Sequence, residues 1–572
     1  ELRGELERDG VPFRSHGDTE VVLELYRRHG PAMLQRLNGM FAMAIWDERT
    51  AELFLARDRF GEKPLYLYQH GGGLLFGSEV KSFLQHPDFT PELDRTALLR
   101  YLTFLWVPEP NSMFAGVQKL PPGHYAIFKH GRLSVHQYWD LTLPRTSLTG
   151  DPRELTAEVR RRLILSVKRR LVSDRPVGAF LSGGIDSSTM LAAMAQASSS
   201  PVESYTIGFP PEDFAQYSQS SEVPLAKAVA ERCGAQWQHI ELDSRITDLL
   251  PLVVWHLDEP VADPAATTAY LLCKTAKPTR TVLMSGMGGD EVFAGYRRHL
   301  AFRVTAAYHR LPGPLRWGLL APMLNGLRWV TRGPLAARLR DARTLVGNAE
   351  LPFEQRFIGY ARYYGPGELE NLLSPDLRQF AAGVDVAATH ATHFRASEGA
   401  DPMARMLYED MKTFMPSLNM LYMDKMSMAT AVEGRLPFLD HELVEFAATI
   451  PPQLKIRGLT TKWILRKAFE NDLPASVVWN RQKVGFGAPI RTWLSRDLGD
   501  MVRDVLSPDR LRARGLFNPD AVQRLLANPL RDRNDFRIWA LLTLELWMQT
   551  FLDGARGRTG PINTTLSGAG AR

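Results

Sequence analysis

Hydrophobic positions change their spacing several times along the chain, and each change predicts a different architecture. Up to about residue 145 the apolar runs are short and separated by turns. Runs at 41–47 and 53–58 flank Asp47-Glu48-Arg49-Thr50, and runs at 65–68 and 74–76 flank Gly71-Gly72-Gly73. Such spacing predicts antiparallel strands. Pro144 to Pro152 has the composition of a linker. From about 153, Leu155, Val159, Leu163, Val167 and Leu171 recur every four residues, a helix with a basic exposed face. Strand and helix then alternate: strand 177–181, helix from 188, strand 204–208, helix 223–233 stopped by Gly234, strand 280–284. Alternation of this kind predicts a parallel sheet with right-handed crossovers and a ligand at its carboxyl edge. Residues 300–430 read as helical and irregular, with Gly-Pro breaks at 313–314 and 333–334. The apolar stretch Leu319 to Leu324, interrupted by Pro322, is expected to be helix core, and residues 554–572 a disordered tail.

Composition narrows the class. A chain of 572 residues with 45% hydrophobic and 23% charged content is long enough for two or more globular domains. Its net charge of +6 is scattered, which argues against nucleic acid as a partner. Two cysteines, Cys233 and Cys273, can form neither a disulfide framework nor a metal cluster, so a reducing cytoplasmic setting is expected. No apolar run reaches the roughly 18 residues of a membrane span.

The chemistry concentrates in Leu181-Ser182-Gly183-Gly184-Ile185-Asp186-Ser187-Ser188, which follows a short apolar strand and opens a helix. Paired glycines let backbone approach an anion, and a helix start adds N–H groups and a positive dipole end. Asp186 is out of place beside an anion unless a cation lies between, which points to a Mg-pyrophosphate. The alternative is a serine-rich turn capping an ordinary helix. The pattern returns at Ser285-Gly286-Met287-Gly288-Gly289-Asp290, again after a predicted strand. GxxxxGK[ST] is absent, and His441-Glu442 is no zinc helix because Glu445 stands where a second His is needed.

The whole SGGIDSS string resembles the pyrophosphate loop of the ATP pyrophosphatases. Three further strings, Leu37-Asn38-Gly39-Met40-Phe41-Ala42, Ala56 to Leu65 and Gly77-Ser78-Glu79-Val80-Lys81, resemble the class II amidotransferases of the asparagine synthetase type. That resemblance implies part of an N-terminal-nucleophile glutaminase layer fold (1–145). A parallel-sheet ATP-pyrophosphatase domain, adenine nucleotide α-hydrolase-like and with helical additions (153–553), follows it. It implies ATP contacts at Leu181, Ser182, Gly183, Gly184, Asp186, Ser187, Ser188, Ile207, Ser285 and Gly286. It assigns Mg to Asp186 and Asp290, the glutamine amino group to Asp18, and the reacting phosphate to Lys462, with Arg466 one turn on. Asp18 also reads as a helix N-cap. Segments 424–429, 433–440 and 482–489 resemble acceptor-site and lid segments, their methionines read as core.

Two departures qualify the likeness. No cysteine precedes Cys233, so the family's nucleophile is missing, a fragment of a longer protein is expected, and this chain should not hydrolyse glutamine. Met287 stands where asparagine synthetases commonly carry a carboxylate that serves the acyl-adenylate. The expected reaction is aspartate, ATP and glutamine-derived ammonia to asparagine, AMP and pyrophosphate, in a possible homodimer. The rivals are another acceptor (an envelope sugar acid or an antibiotic precursor) and an inactive regulatory paralogue, the latter opposed by intact Asp186, Asp290 and Lys462.

Overall fold

Alternating apolar residues in the N-terminal stretch are realised as two small antiparallel sheets. One joins β1 (Ala42–Asp47), β2 (Glu52–Arg57), β6 (His124–Lys129) and β7 (Arg132–Gln137) in the order β1-β2-β6-β7. The other joins β3 (Tyr66–His70), β4 (Gly73–Gly77) and β5 (Val117–Lys119) in the order β4-β3-β5. Leu55, Leu65, Leu67, Leu120 and Ala126 pack between them, while α1 (Leu2–Arg8) and α2 (Asp18–His29) cover the outer face of the larger sheet around Leu25, Met33 and Phe54. A further helix, α3 (Arg95–Phe104), lies between β4 and β5. The computed structural model describes residues 1–209, 222–241, 246–327, 333–365, 367–480, 488–529, 533–554 and 560–561.

Beyond the connector, α4 (Pro152–Arg170) is capped by Asp151 and buries Leu155, Val159, Leu163 and Val167, the face its spacing predicts. The βα alternation follows as β8 (Val177–Phe180), α5 (Ile185–Ala197), β9 (Glu203–Gly208), α6 (Val223–Cys233), β10 (Gln236–Glu241), α7 (Ile246–Leu257), α8 (Ala265–Ala276), β11 (Val282–Met284) and α9 (Gly289–Phe293). The later β12 (Glu433–Arg435) completes a five-stranded sheet in the order β10-β9-β8-β11-β12, parallel at every pair. The chain winds from β8 outward in one direction, then returns to β8's other side as β11. This reversal opens a crevice between the ends of β8 and β11, the position where open α/β sheets bind ligands. Residues between α9 and β12 are helical, ending in α10 (Leu421–Ala429), after which come α11 (Trp463–Ala468) and α12 (Asn534–Phe551). The last is almost wholly buried, and its Trp539 and Trp547 share one core with Tyr66, Tyr101 and Phe114 of the N-terminal half.

Several expectations need correction. Helix α5 begins at Ile185 rather than 188, because Gly184 is its N-cap and the loop's Asp186 and Ser187 already lie in the first turn. Asp18 is not an N-cap: Gly17 holds that place and Asp18 is the first helical residue. Glu20, in the same first turn, ties down the preceding loop, its carboxylate accepting the N–H groups of Arg14 (2.9 Å) and Ser15 (2.7 Å). The stretch at 319–324 is helical, but Met323 is 51% exposed and Leu320 and Leu324 are only half-buried, so these three are not core. Of the methionines in segment 424–429, Met426 is buried but Met428 is 49% exposed. Strand β10 went unpredicted because it is a polar edge strand, Gln-Trp-Gln-His-Ile-Glu, half open to water. Residues 482–487, and all of the tail except Gly554, Gly560 and Pro561, lie outside the described residues.

Candidate active site

The two glycine loops meet at the sheet's crevice. The loop after β8 carries φ +79° at Gly183, and a Cβ there would fall 2.8 Å from the Ala226 nitrogen and 2.9 Å from the Glu222 oxygen. Only glycine allows both that backbone and that approach. Within the loop the Ser182 and Ser187 hydroxyls are 3.1 Å apart, Ser182 Oγ accepts from the Gly184 N–H (3.2 Å), and Ser187 Oγ accepts from the Ser182 N–H (3.2 Å). Its first residue is tied down too. Leu181 donates its N–H to the Tyr205 carbonyl (2.9 Å) and accepts from the Thr206 hydroxyl (2.7 Å). The buried Ser188 hydroxyl meets no partner among the described residues.

The second loop is pressed against the first. A Cβ on Gly286 would lie 2.6 Å from the Ser187 nitrogen, and one on Gly289 would lie 2.6 Å from Asp186 Oδ1. Ser285 fixes the loop at both ends, its N–H donating to the Arg435 carbonyl of β12 (2.9 Å) and its hydroxyl accepting from the Met287 N–H (3.3 Å). This contact brings Asp186, in the first turn of α5, and Asp290, in the first turn of α9, to a common point.

Lys462 occupies that point. Its ammonium donates to Asp186 Oδ2 and lies 2.6 Å from Asp290 Oδ1. Burial by itself would depress the lysine, but the charges of Asp186 and Asp290 more than offset it and hold Lys462 above its ordinary value. Lys462 is the N-cap of α11 with φ +53°, an uncommon conformation for a residue with a side chain. Arg466 helps hold it so: its guanidinium donates to the Thr461 carbonyl (2.8 Å) and to the Val478 carbonyl. Arg466 feels both aspartates, yet burial dominates and lowers it. Its observed bonds are to the backbone beside Lys462, so it reads as a positioning residue.

Sequence reasoning missed the residues behind this point. Gly295 packs against it so closely that a Cβ would fall 1.8 Å from Asp290 Oδ1. Glu291, fully buried, accepts from the Tyr296 hydroxyl (2.5 Å) and Asn419 Nδ2 (2.9 Å), and burial beside Asp290 pushes it up to about 7. Glu291 was legible only as the end of the Asp290-Glu291 pair. Met287 is half-buried and packs against two hydrophobic cores. Ile207 stands near the end of β9, in register with Ile240 of β10, while exposed Asp18 lies apart on the N-terminal helix α2.

The donor set fits a magnesium ion. Two carboxylates already converge on one cation, and Mg²⁺ is characteristically held by one or two carboxylates together with substrate phosphates. Among the described residues no group of three or more His, Cys, Asp or Glu side chains competes as a metal site.

The two halves meet in a charged seam. Arg57 pairs with Glu109 (2.8 Å) and donates to the Lys63, Gly61 and Leu120 carbonyls. Glu62 pairs with Arg170 of α4 (2.8 Å), and Lys63 pairs with Asp424 of α10 (2.7 Å). Asp258 takes both Lys81 (2.9 Å) and Lys425, and Lys119 pairs with Glu259 (2.5 Å). Residues 57–63, in the middle of a quoted family string, are thus a junction.

Comparison with known proteins gives the same division. Residues 158–549 match the model of the asparagine synthase family and residues 1–139 that of a glutamine amidotransferase domain. The chain is 34% identical over 554 residues to asparagine synthetase [glutamine-hydrolyzing] 1 of Bacillus subtilis, covering 96% of this chain and 83% of that protein. It is 35% identical over 571 residues to a putative asparagine synthetase [glutamine-hydrolyzing] of Mycobacterium tuberculosis, covering 97% and 83%. It is also 29% identical to amidase chyE of Penicillium rubens, over 89% and 78% of the two chains. No helix among the described residues is long and apolar enough to cross a membrane.

Proposed function

Since this chain belongs to the asparagine synthase family of carbon–nitrogen ligases, we propose that its parallel-sheet half activates a carboxylic acid with ATP and passes the acyl group to ammonia. The acid is aspartate, the activated form an acyl-adenylate, and the products asparagine, AMP and pyrophosphate. The observation that carries this reading is the convergence of Asp186, Asp290 and Lys462 between two glycine loops at the sheet's crevice.

Each residue then has a physical task. The loop 181–188 and the start of α5 present N–H and hydroxyl donors to the β- and γ-phosphates. Ser285 and Gly286 close the other side, and the Ile207 backbone meets the adenine. Asp186 and Asp290 would hold Mg²⁺, which when bound offsets the charge of the leaving pyrophosphate. Lys462 stabilises charge at the reacting phosphorus, a contribution worth about 10²-fold or more for one preorganised group. Residues 1–145 form the glutaminase part, with Asp18 on the glutamine amino group, and 153–553 the synthetase domain. A cytoplasmic homodimer is the expected form.

Met287 supports a second reading of the acceptor. A thioether set between two hydrophobic cores cannot take up a proton, so a larger or less polar acid replaces aspartate. The test is amide formation with ammonium salts as nitrogen source, which makes glutaminase competence irrelevant. Asparagine formed from aspartate supports the first reading. Hydroxamate formed from hydroxylamine with another acid, and none with aspartate, replaces it by the second.

A further inference from the structure

The first peptide of the loop after β8 is held from outside the crevice. Leu181 donates its N–H to the Tyr205 carbonyl (2.9 Å), and its own carbonyl accepts from the buried Thr206 hydroxyl (2.7 Å). That hydroxyl accepts in turn from the indole Nε1–H of Trp237 on β10 (2.9 Å). An indole N–H can only donate, so the Thr206 oxygen is its acceptor and the single Thr206 proton is committed to Leu181. The direction of the line is thereby fixed. A peptide is planar, so the Leu181 carbonyl and the Ser182 N–H turn together. The Ser182 N–H bonds to Ser187 Oγ (3.2 Å), and the line that starts at Trp237 ends on a hydroxyl of the glycine loop.

We propose that Trp237, an edge-strand residue outside both glycine loops, is a positioning residue that sets the Ser187 hydroxyl for the terminal phosphates of the nucleotide. This inference rests on the ATP reading above. Further contacts hold the indole in place. Its ring stacks on that of His239, two residues along β10, at 5.7 Å between centroids and 8° between planes. Gly208, at the end of β9, leaves room for that imidazole, since a Cβ there would collide with it. Trp237 also packs against the core that contains Leu181 together with Ala226 and Val229 of α6. Without the indole N–H, the Thr206 hydroxyl loses the bond that orients it, and the peptide 181–182 gains freedom to tilt. The ladder between β9 and β10, which carries Ile207, is made of backbone and stays as it is. The loss therefore falls on the terminal phosphates and spares the adenine end.

The experiment is a calorimetric titration of the whole chain with Mg–ATP, and with AMP, which lacks the β- and γ-phosphates, read by its competition with ATP. Trp237→Phe keeps a ring for the stack and removes the N–H. It weakens Mg–ATP by about 3- to 10-fold, the worth of one hydrogen bond, with AMP affinity within about twofold of wild type. Thr206→Val does the same, and Thr206→Ser binds as wild type does. Trp237→Phe/Thr206→Val is no weaker than Thr206→Val alone, because both changes cut one line. The Thr206 variants test that line should the tryptophan variant not fold. Mg–ATP affinity unchanged in Trp237→Phe and Thr206→Val, ATP and AMP weakened alike, or losses that add in the double variant overturn the positioning role. Failure of wild type to bind Mg–ATP overturns the ATP reading beneath it.

Discussion

Two clusters of charge lie in this protein, and their settings differ. At the seam between the halves, acids and bases alternate: Arg57 with Glu109, Arg170 with Glu62, Lys119 with Glu259, and Asp258 shared by Lys81 and Lys425. At the sheet's crevice Asp186 and Asp290 share Lys462, with Arg466 near enough to feel both aspartates. The seam joins side chains of distant segments and serves as a strut. The crevice cluster lies where two glycine loops meet, one of them opening a helix, and a pair of carboxylates there is suited to a metal that bridges to an anion. Burial of charge alone does not mark a site; its setting does.

Changes in the crevice cluster should cost chemistry. Lys462→Met is expected to lower acid-dependent ATP–pyrophosphate exchange by about 10²-fold or more, with the fold retained by circular dichroism. Gly286→Ala, whose new Cβ would press on the Ser187 nitrogen, should misplace both loops and cost up to about 10²-fold in the same assay. Changes in the seam should cost stability and spare the exchange rate per folded molecule. Glu109→Ala leaves the Arg57 guanidinium buried without its partner, and denaturant unfolding should register a loss of about 3–5 kcal/mol. If that variant lost exchange while keeping its stability, the distinction between the clusters would collapse.

A third kind of buried charge gives a subtler effect. Lys455, 3% exposed, is pushed down to about 7 by burial, with Asp401 only partly offsetting this. Between about pH 7 and the ordinary lysine value of 10.5 the unfolded chain therefore binds a proton that the folded chain does not. Stability should rise with pH across that window and carry the full penalty below it, each unit of displacement being about 1.4 kcal/mol. Lys455→Met should flatten this slope in thermal melts taken from pH 7 to 10. The smallest effect is expected at Lys63→Met, whose bridge to Asp424 is partly exposed and worth about 0–1 kcal/mol.

Much of this was legible in the residue order, and the reasons differ by element. Helix α4 announced itself because four buried residues repeat along one face, and β8, β9 and β11 because buried parallel strands are short apolar runs. The edge strands β7 and β10 did not, since most of their side chains are polar and face water, leaving only two apolar residues in β7 and two in β10. Asp186 and Asp290 were legible through their glycine loops. The left-handed backbone of Lys462, the clasp of Gly295 and the Glu291–Tyr296–Asn419 cluster were not, because each depends on contacts between distant segments. The seam lay hidden inside strings that read only as family wording.

The most direct measurement is exchange of labelled pyrophosphate into ATP by this chain, with Mg²⁺ and a panel of carboxylic acids, beside Asp186→Asn. The account predicts exchange that depends on one of the acids, aspartate first among them, and that disappears in the variant. Exchange that persists in Asp186→Asn, or its absence with every acid while ATP still binds, would contradict the claim that the crevice cluster is a site of acyl activation.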